Sequence, residues 1–237
     1  MADYNTASAS TALPTAADAQ RVTAFLRLVY GWMCVGLGVT AFVAFTVAGS
    51  PMLIRAIASN QLLFFGLFAA ELGLVFYLSA RAPKLAPGAA AGLFVLYSAL
   101  NGVTLSLVLL MYTGASVATT FVVTAGMFGA LALFGSTTTR SLAGAGHFFF
   151  MGLVGLVLAS VVGMFWHSEA LQFLISIIGV IVFTGLTAWD AQRLKQMALA
   201  LPEGQSGSYA VVGALSLYLN FINLFLILLR FSGGRRS

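Results

Sequence analysis

The run GALSLYLNFINLFLILLRF, Gly213 to Phe231, decides the class of this protein. It carries no charge before Arg230. An α-helix rises about 1.5 Å per residue, so the run is long enough to cross the roughly 30 Å hydrocarbon layer of a bilayer. It is not uniformly apolar. Gly213, Ser216, Asn220 and Asn223 share one helical face. Tyr218, Ile222, Phe225 and Leu229 lie on the opposite one. An unpaired amide in lipid is costly, so the polar stripe is expected to face protein or water.

The rest of the chain agrees with that class. Of 237 residues, 60% are hydrophobic and 7% are charged. A soluble domain carries about 25% charged residues. This much apolar surface does not fit in one water-soluble core, so the chain reads as an all-α polytopic membrane protein. Seven apolar spans are predicted, over residues 26–48, 62–80, 89–111, 116–134, 145–165, 171–189 and 213–231. Together they make a membrane domain over 26–231. A polar tail, 1–25, is expected to be disordered, and 232–237 form a short basic tail. Residues 1–20 carry no Lys or Arg, which does not match a cleavable signal peptide, so the first span should act as an uncleaved anchor. Tyr112-Thr113-Gly114 is a very short turn that predicts an antiparallel hairpin of spans three and four. Gly36, Gly38, Gly126 and Gly129 are candidates for close helix contacts.

Charge placement excludes further classes. The net charge is +5, but the basic residues are scattered at the ends of apolar runs, which argues against nucleic acid. Arg21, Arg27, Arg81, Lys84, Arg140, Arg193 and Lys195 fall on one side of the membrane. Arg55, Arg230, Arg235 and Arg236 fall on the other. The larger group favours a cytoplasmic N-terminus. Seven spans then place the C-terminus outside, against the preference of Arg235 and Arg236. A final span that only partly crosses would remove that conflict; seven full spans are the preferred reading.

No enzymatic constellation appears: no Gly-rich phosphate loop, no HExxH, no supported Ser/His/Asp set and no pair of intramembrane aspartates. Cys34 is alone, and His147 and His167 are isolated, so no Cys/His metal cluster and no cofactor site is expected.

Two acids must contend with the membrane, Glu71 and Asp190. Asp190 closes a second small and polar stripe, with Ser176, Gly179 and Thr187 on one face of span six and Thr184 at its border. An ionisable group here usually faces a cavity, where it binds a cation or titrates. The plain alternative is an interfacial cap or an ion pair with Arg193 or Arg81. For Glu71, in the middle of span two, the plain reading is a structural hydrogen bond to a Ser or Thr of another helix. Asn101, Asn220 and Asn223 are expected to bond between helices. Arg230 reads as an interfacial snorkelling residue.

At spans six and seven the sequence resembles the Bax inhibitor-1 family. Residues 182–195, VFTGLTAWDAQRLK, and 213–225, GALSLYLNFINLF, carry the resemblance. Upstream, Tyr30-Gly31-Trp32-Met33, Leu96-Tyr97-Ser98-Ala99-Leu100 and residues 119–129, TTFVVTAGMFG, are similar to the bacterial inner-membrane branch. The resemblance implies a bundle with the seventh helix central and a pH-sensitive calcium leak. It further implies a carboxylate pair between helices six and seven. Asp190 matches the first member; Asn220 stands where the second acid is expected, and an amide cannot titrate. A basic residue at the end of helix two pairs with the helix-six acid in the family, and Arg81 lies in that region.

The resulting expectation is a pH-modulated leak for Ca²⁺ or another cation. Asp190, Asn220 and Arg81 form the gate, and Asp190 is a weak Ca²⁺ ligand. Glu71, Asn101, Thr184, Thr187, Ser216 and Asn223 supply polar lining. Two other classes stay open: a regulator of a membrane-bound protease, and a proton-coupled transporter using Glu71 and Asp190.

Overall fold

The computed structural model describes residues 16–81, 84–166, 168–202 and 206–234. The described residues form helices α1 (Ala16–Ala48), α2 (Pro51–Ser59), α3 (Gln61–Arg81), α4 (Pro87–Met111), α5 (Gly114–Thr137), α6 (Ala143–Phe165), α7 (Glu169–Ala200) and α8 (Ser206–Ser232). All but α2 are long and apolar enough to span a bilayer. Residues 1–15, His167, Glu203 and the Arg235–Arg236 pair lie outside the described residues.

Local chemistry sets the helix starts. Pro51 and Pro87 open α2 and α4, where a missing N–H costs nothing. Thr113 and Ser168 cap α5 and α7 by accepting from the backbone N–H of Ser116 and Leu171. Asn60 Oδ1 accepts from Leu63 N–H at 3.1 Å in the first turn of α3.

Three boundaries differ from the sequence reading. α1 begins at Ala16, so residues 16–25 are helical rather than tail. They are polar but consist largely of helix formers, and Arg21 Nη2 donates to Leu201 C=O at 2.9 Å. Between the first two spans, residues left without an element by hydropathy form the short helix α2, which carries Pro51 and Arg55. Most consequentially, α7 does not stop at Trp189. It runs to Ala200 and carries Arg193 and Lys195, because 191–200 contain no Gly or Pro. Ala191, Leu194 and Ala198 bury one face of this extension.

α8 is the core of the bundle. In its most apolar stretch 61% of residues are buried, against 11–39% in the other six spans, so α8 rather than any neighbour is shielded from lipid. It packs on α1, α3, α4, α5 and α7. Both of its faces are covered: Phe221 meets Phe121 and Phe128 edge-on, and Tyr218 meets Phe94 and Tyr97. α4 and α5 are joined by a tight turn but do not pack as a hairpin. α4 lies on α1, α3 and α8, whereas α5 lies on α7 and α8. The outer surface is apolar, with Phe45, Phe76, Phe148, Met151 and Leu158 all exposed, as a lipid-facing surface requires.

Close contacts occur at Gly36, where an added Cβ would meet the Phe94 ring, and at Gly135, where it would run into the Ala188 backbone. Gly38, Gly126 and Gly129 have open space beside them and make no such contact.

The loops sort into two ends. At one end Arg21 bonds Leu201, Ser208 Oγ donates to Leu85 C=O, and Lys195 Nζ donates to Ser136 C=O. At the other, Gly234 C=O accepts from Thr113 N–H at 3.1 Å, and Gly234 N–H donates to Ser116 Oγ at 2.9 Å. The end of α8 therefore lies with the α4–α5 turn, away from the start of α1. That is the arrangement of seven complete crossings, not of a partial last span.

Candidate functional site

Asp190 lies within α7, ten residues before its end at Ala200, and is only 6% exposed. Two donors from α8 meet it. Ser216 Oγ donates to Asp190 Oδ2 at 2.8 Å, and Asn220 Nδ2 donates to the same oxygen at 2.7 Å. Ser216 and Asn220 are four residues apart, one turn of α8, which is why both reach one carboxylate. The other oxygen, Oδ1, accepts no hydrogen bond among the described residues. Asp190 lines a cavity of about 220 Å³ with Ser79 of α3, Arg193, Leu194, Gly213 and Ser216.

Arg81 does not pair with Asp190; it is exposed at the end of α3, and the residue that α3 sends to the cavity is Ser79. The cation whose charge reaches Asp190 is Arg193, one turn further along the same helix.

The remaining polar residues divide. Thr187 Oγ1 bonds Phe183 C=O at 2.7 Å within its own helix. Asn223 Nδ2 bonds Leu219 C=O at 2.8 Å in the same way. Thr184 Oγ1 has no partner among the described residues. None of the three joins the Asp190 site.

Glu71 builds a second, separate cluster. Thr104 Oγ1 donates to its Oε1 at 2.5 Å, and Asn101 Nδ2 approaches its Oε2 at 3.5 Å. Asn101 Oδ1 accepts from the Tyr218 phenol at 3.1 Å, and Tyr218 lies 2.7 Å from Thr40 Oγ1. This chain of contacts ties α3 to α4, α8 and α1. Tyr218 and Asn220 are about 200° apart around α8, so the two acids sit on opposite sides of it. Glu71 and Asp190 therefore do not form one site. Among the described residues no group of three or more Asp, Glu, His or Cys side chains is placed to hold a metal ion.

Sequence reasoning passed over Tyr218, placed on the apolar face, and Gln192. Buried Gln192 clamps the α5–α6 connection: its Oε1 accepts from Leu142 N–H at 2.7 Å and its Nε2 donates to Arg140 C=O at 2.8 Å. A polar residue two places after the Asp was the only signal available. Gln192→Ala leaves both backbone groups unpaired and is expected to destabilise the protein by about 2 kcal/mol. A lower thermal midpoint in detergent checks this; an unchanged midpoint would mean the clamp contributes nothing.

The comparisons with known proteins agree with this architecture. The sequence profile described as "Inhibitor of apoptosis-promoting Bax1" matches residues 22–237. The chain is 51% identical to the inner membrane protein YbhL of Escherichia coli K12 over 215 residues, 90% of this chain and 92% of the relative. It is 44% identical over 215 residues to a protein of Borreliella burgdorferi, covering 90% of this chain and 93% of that one. It is 43% identical over 216 residues to one of Deinococcus radiodurans, covering 91% and 92%. With seven apolar spans, α8 the most buried among them, and a profile match over nearly its whole length, this chain belongs to the Bax inhibitor-1 family of polytopic membrane proteins.

Proposed function

We propose that this protein is a pH-modulated leak channel for Ca²⁺ or a similar cation in the bacterial inner membrane, with its N-terminus in the cytoplasm. Asp190 is the residue that attracts the ion. The observation that carries the reading is a carboxylate inside the bundle whose one oxygen is held by α8 while the other takes no hydrogen bond among the described residues, beside a cavity. A buried carboxylate without a paired cation is costly to keep unless it serves a purpose such as an ion path. Hard cations prefer oxygen ligands; Ser216 places a hydroxyl against Asp190, and Ser79 lines the same cavity. One carboxylate is too little charge for a tight site, which suits a leak better than a store. Protons and Ca²⁺ compete for the same oxygen, so flux depends on pH. The membrane assignment is supported by the family and by the inner-membrane name of the Escherichia coli relative.

The orientation rests on charge. The end bearing Arg21, Arg140 and Lys195 is the more basic and is the end expected in the cytoplasm. The Asp190 cavity lies toward that end, since Gly213 and Arg193 line it. Glu71 is assigned a structural part, as the polar tie between α3 and the bundle.

Purified protein in Ca²⁺-loaded liposomes tests the reading. Flux above protein-free liposomes, varying with pH and lost in Asp190→Ala, is expected. Unchanged flux in that variant would remove Asp190 from the path.

A further inference from the structure

The sequence resemblance places the charge that opposes Asp190 on another helix, at Arg81. The structure places it on the same helix. Arg193 follows Asp190 by one turn, so the two share a face of α7 and both line the 220 Å³ cavity. They are not joined by an ion pair, nor does Arg193 hydrogen-bond the carboxylate. Its guanidinium carbon lies 5.5 Å from the centre of the Trp189 ring, within the range of about 6 Å over which an aromatic face attracts a cation. The Trp189 ring packs against the backbone at Gly146, with no room there for a Cβ. The guanidinium thus has a resting place beside the cavity, and Asp190 Oδ1 has no partner among the described residues.

We infer that Arg193 is a tethered cation that competes with mobile cations for the Asp190 cavity, and that Trp189 decides where it rests. The inference rests on the reading of Asp190 as the cation-attracting residue. With the guanidinium stacked on Trp189, the cavity holds one negative and one positive side chain. An incoming divalent ion meets both. If the stack is lost, the guanidinium is free to swing onto Oδ1 and occupy the seat. Because both charges ride on α7, this competition does not require α3 to move against α7, as an Arg81 lock would. Arg193 is exposed, so its substitution leaves the packed core untouched.

Calcium titration of the full chain in lipid nanodiscs, by calorimetry, tests this. Arg193→Gln removes the charge and is expected to bind Ca²⁺ about ten-fold more tightly, because a nearby unit charge no longer opposes it. Arg193→Lys keeps the charge and should bind no more tightly than the native chain. Trp189→Leu releases the guanidinium and should bind more weakly. The gain in Arg193→Gln should shrink at high ionic strength, which a purely structural role would not produce. If the native chain shows no measurable binding, Asp190-dependent binding that emerges in Arg193→Gln supports the inference, and its absence overturns it. Native affinity in Arg193→Gln, with binding abolished by Asp190→Asn, overturns the role of Arg193 alone. Binding that survives Asp190→Asn overturns the reading of Asp190 itself.

Discussion

Asp190→Asn is expected to cut Ca²⁺ flux by at least about ten-fold while the protein stays folded, because one unit of charge is lost at a poorly hydrated site. This substitution separates charge from scaffolding. An asparagine Oδ1 still accepts from Ser216 and Asn220, so the two contacts at 2.8 and 2.7 Å to α8 are kept. Asp190→Ala is less clean. It leaves the buried Asn220 amide without its acceptor, at a cost of about 1–3 kcal/mol. Ser216 is less affected, since a serine on a helix can turn to its own backbone. The alanine variant should therefore lose both flux and thermal stability, and the asparagine variant mainly flux. Liposome flux and a thermal melt on both variants check the pair of outcomes. Native flux in Asp190→Asn would show that the carboxylate is only a link between α7 and α8.

Asn220→Asp is expected to give the opposite kind of change. It places a second carboxylate where the amide now lies, 2.7 Å from Asp190 Oδ2. Two carboxylates at that distance do not both ionise freely, so they share a proton across the contact and titrate as a pair. In the native chain only Asp190 titrates at this point, because the amide is a fixed donor. The variant should gain a pH-dependent step that the native chain lacks. As the pH is raised and the shared proton leaves, the site carries two charges, and Ca²⁺ binding should rise by about ten-fold or more. Proton release also turns an attractive contact between α7 and α8 into a repulsive one. The variant should therefore melt at a lower temperature at neutral pH than in acid. Calcium titrations and melts across that pH range test both. A variant with the native pH profile would show that Asn220 does not face the ion path.

Much of the architecture is legible in the residues. Seven spans follow from uninterrupted apolar runs, because a bilayer tolerates only segments that satisfy their own backbone hydrogen bonds. The contact of α7 with α8 at Asp190 and Asn220 is implied by the family resemblance, and the polarity of Asp190, Ser216 and Asn220 shows only that they turn away from lipid. Helix ends were less legible. Hydropathy marks where a chain leaves the hydrocarbon, whereas a helix continues as long as its residues favour it. So α7 runs ten residues past Asp190 to Ala200, and α1 starts at Ala16.

Side-chain reach in three dimensions was not legible at all. Thr187 and Asn223 sit on the expected faces but bond to their own helices. Tyr218 looked like one more apolar contact and is instead the hub that joins α8 to Thr40 and Asn101.

What the sequence determined alone is the class, the spans, the family and the placing of one acid, Asp190, on a polar stripe, because composition, length and motif are local properties of the chain. Which cation answers that acid was decided only by the tertiary structure. Arg81 and Arg193 are equally basic in the sequence. The packing of α3, α7 and α8 sends Ser79 rather than Arg81 to the cavity, and the continuation of α7 keeps Arg193 one turn from Asp190 and over Trp189.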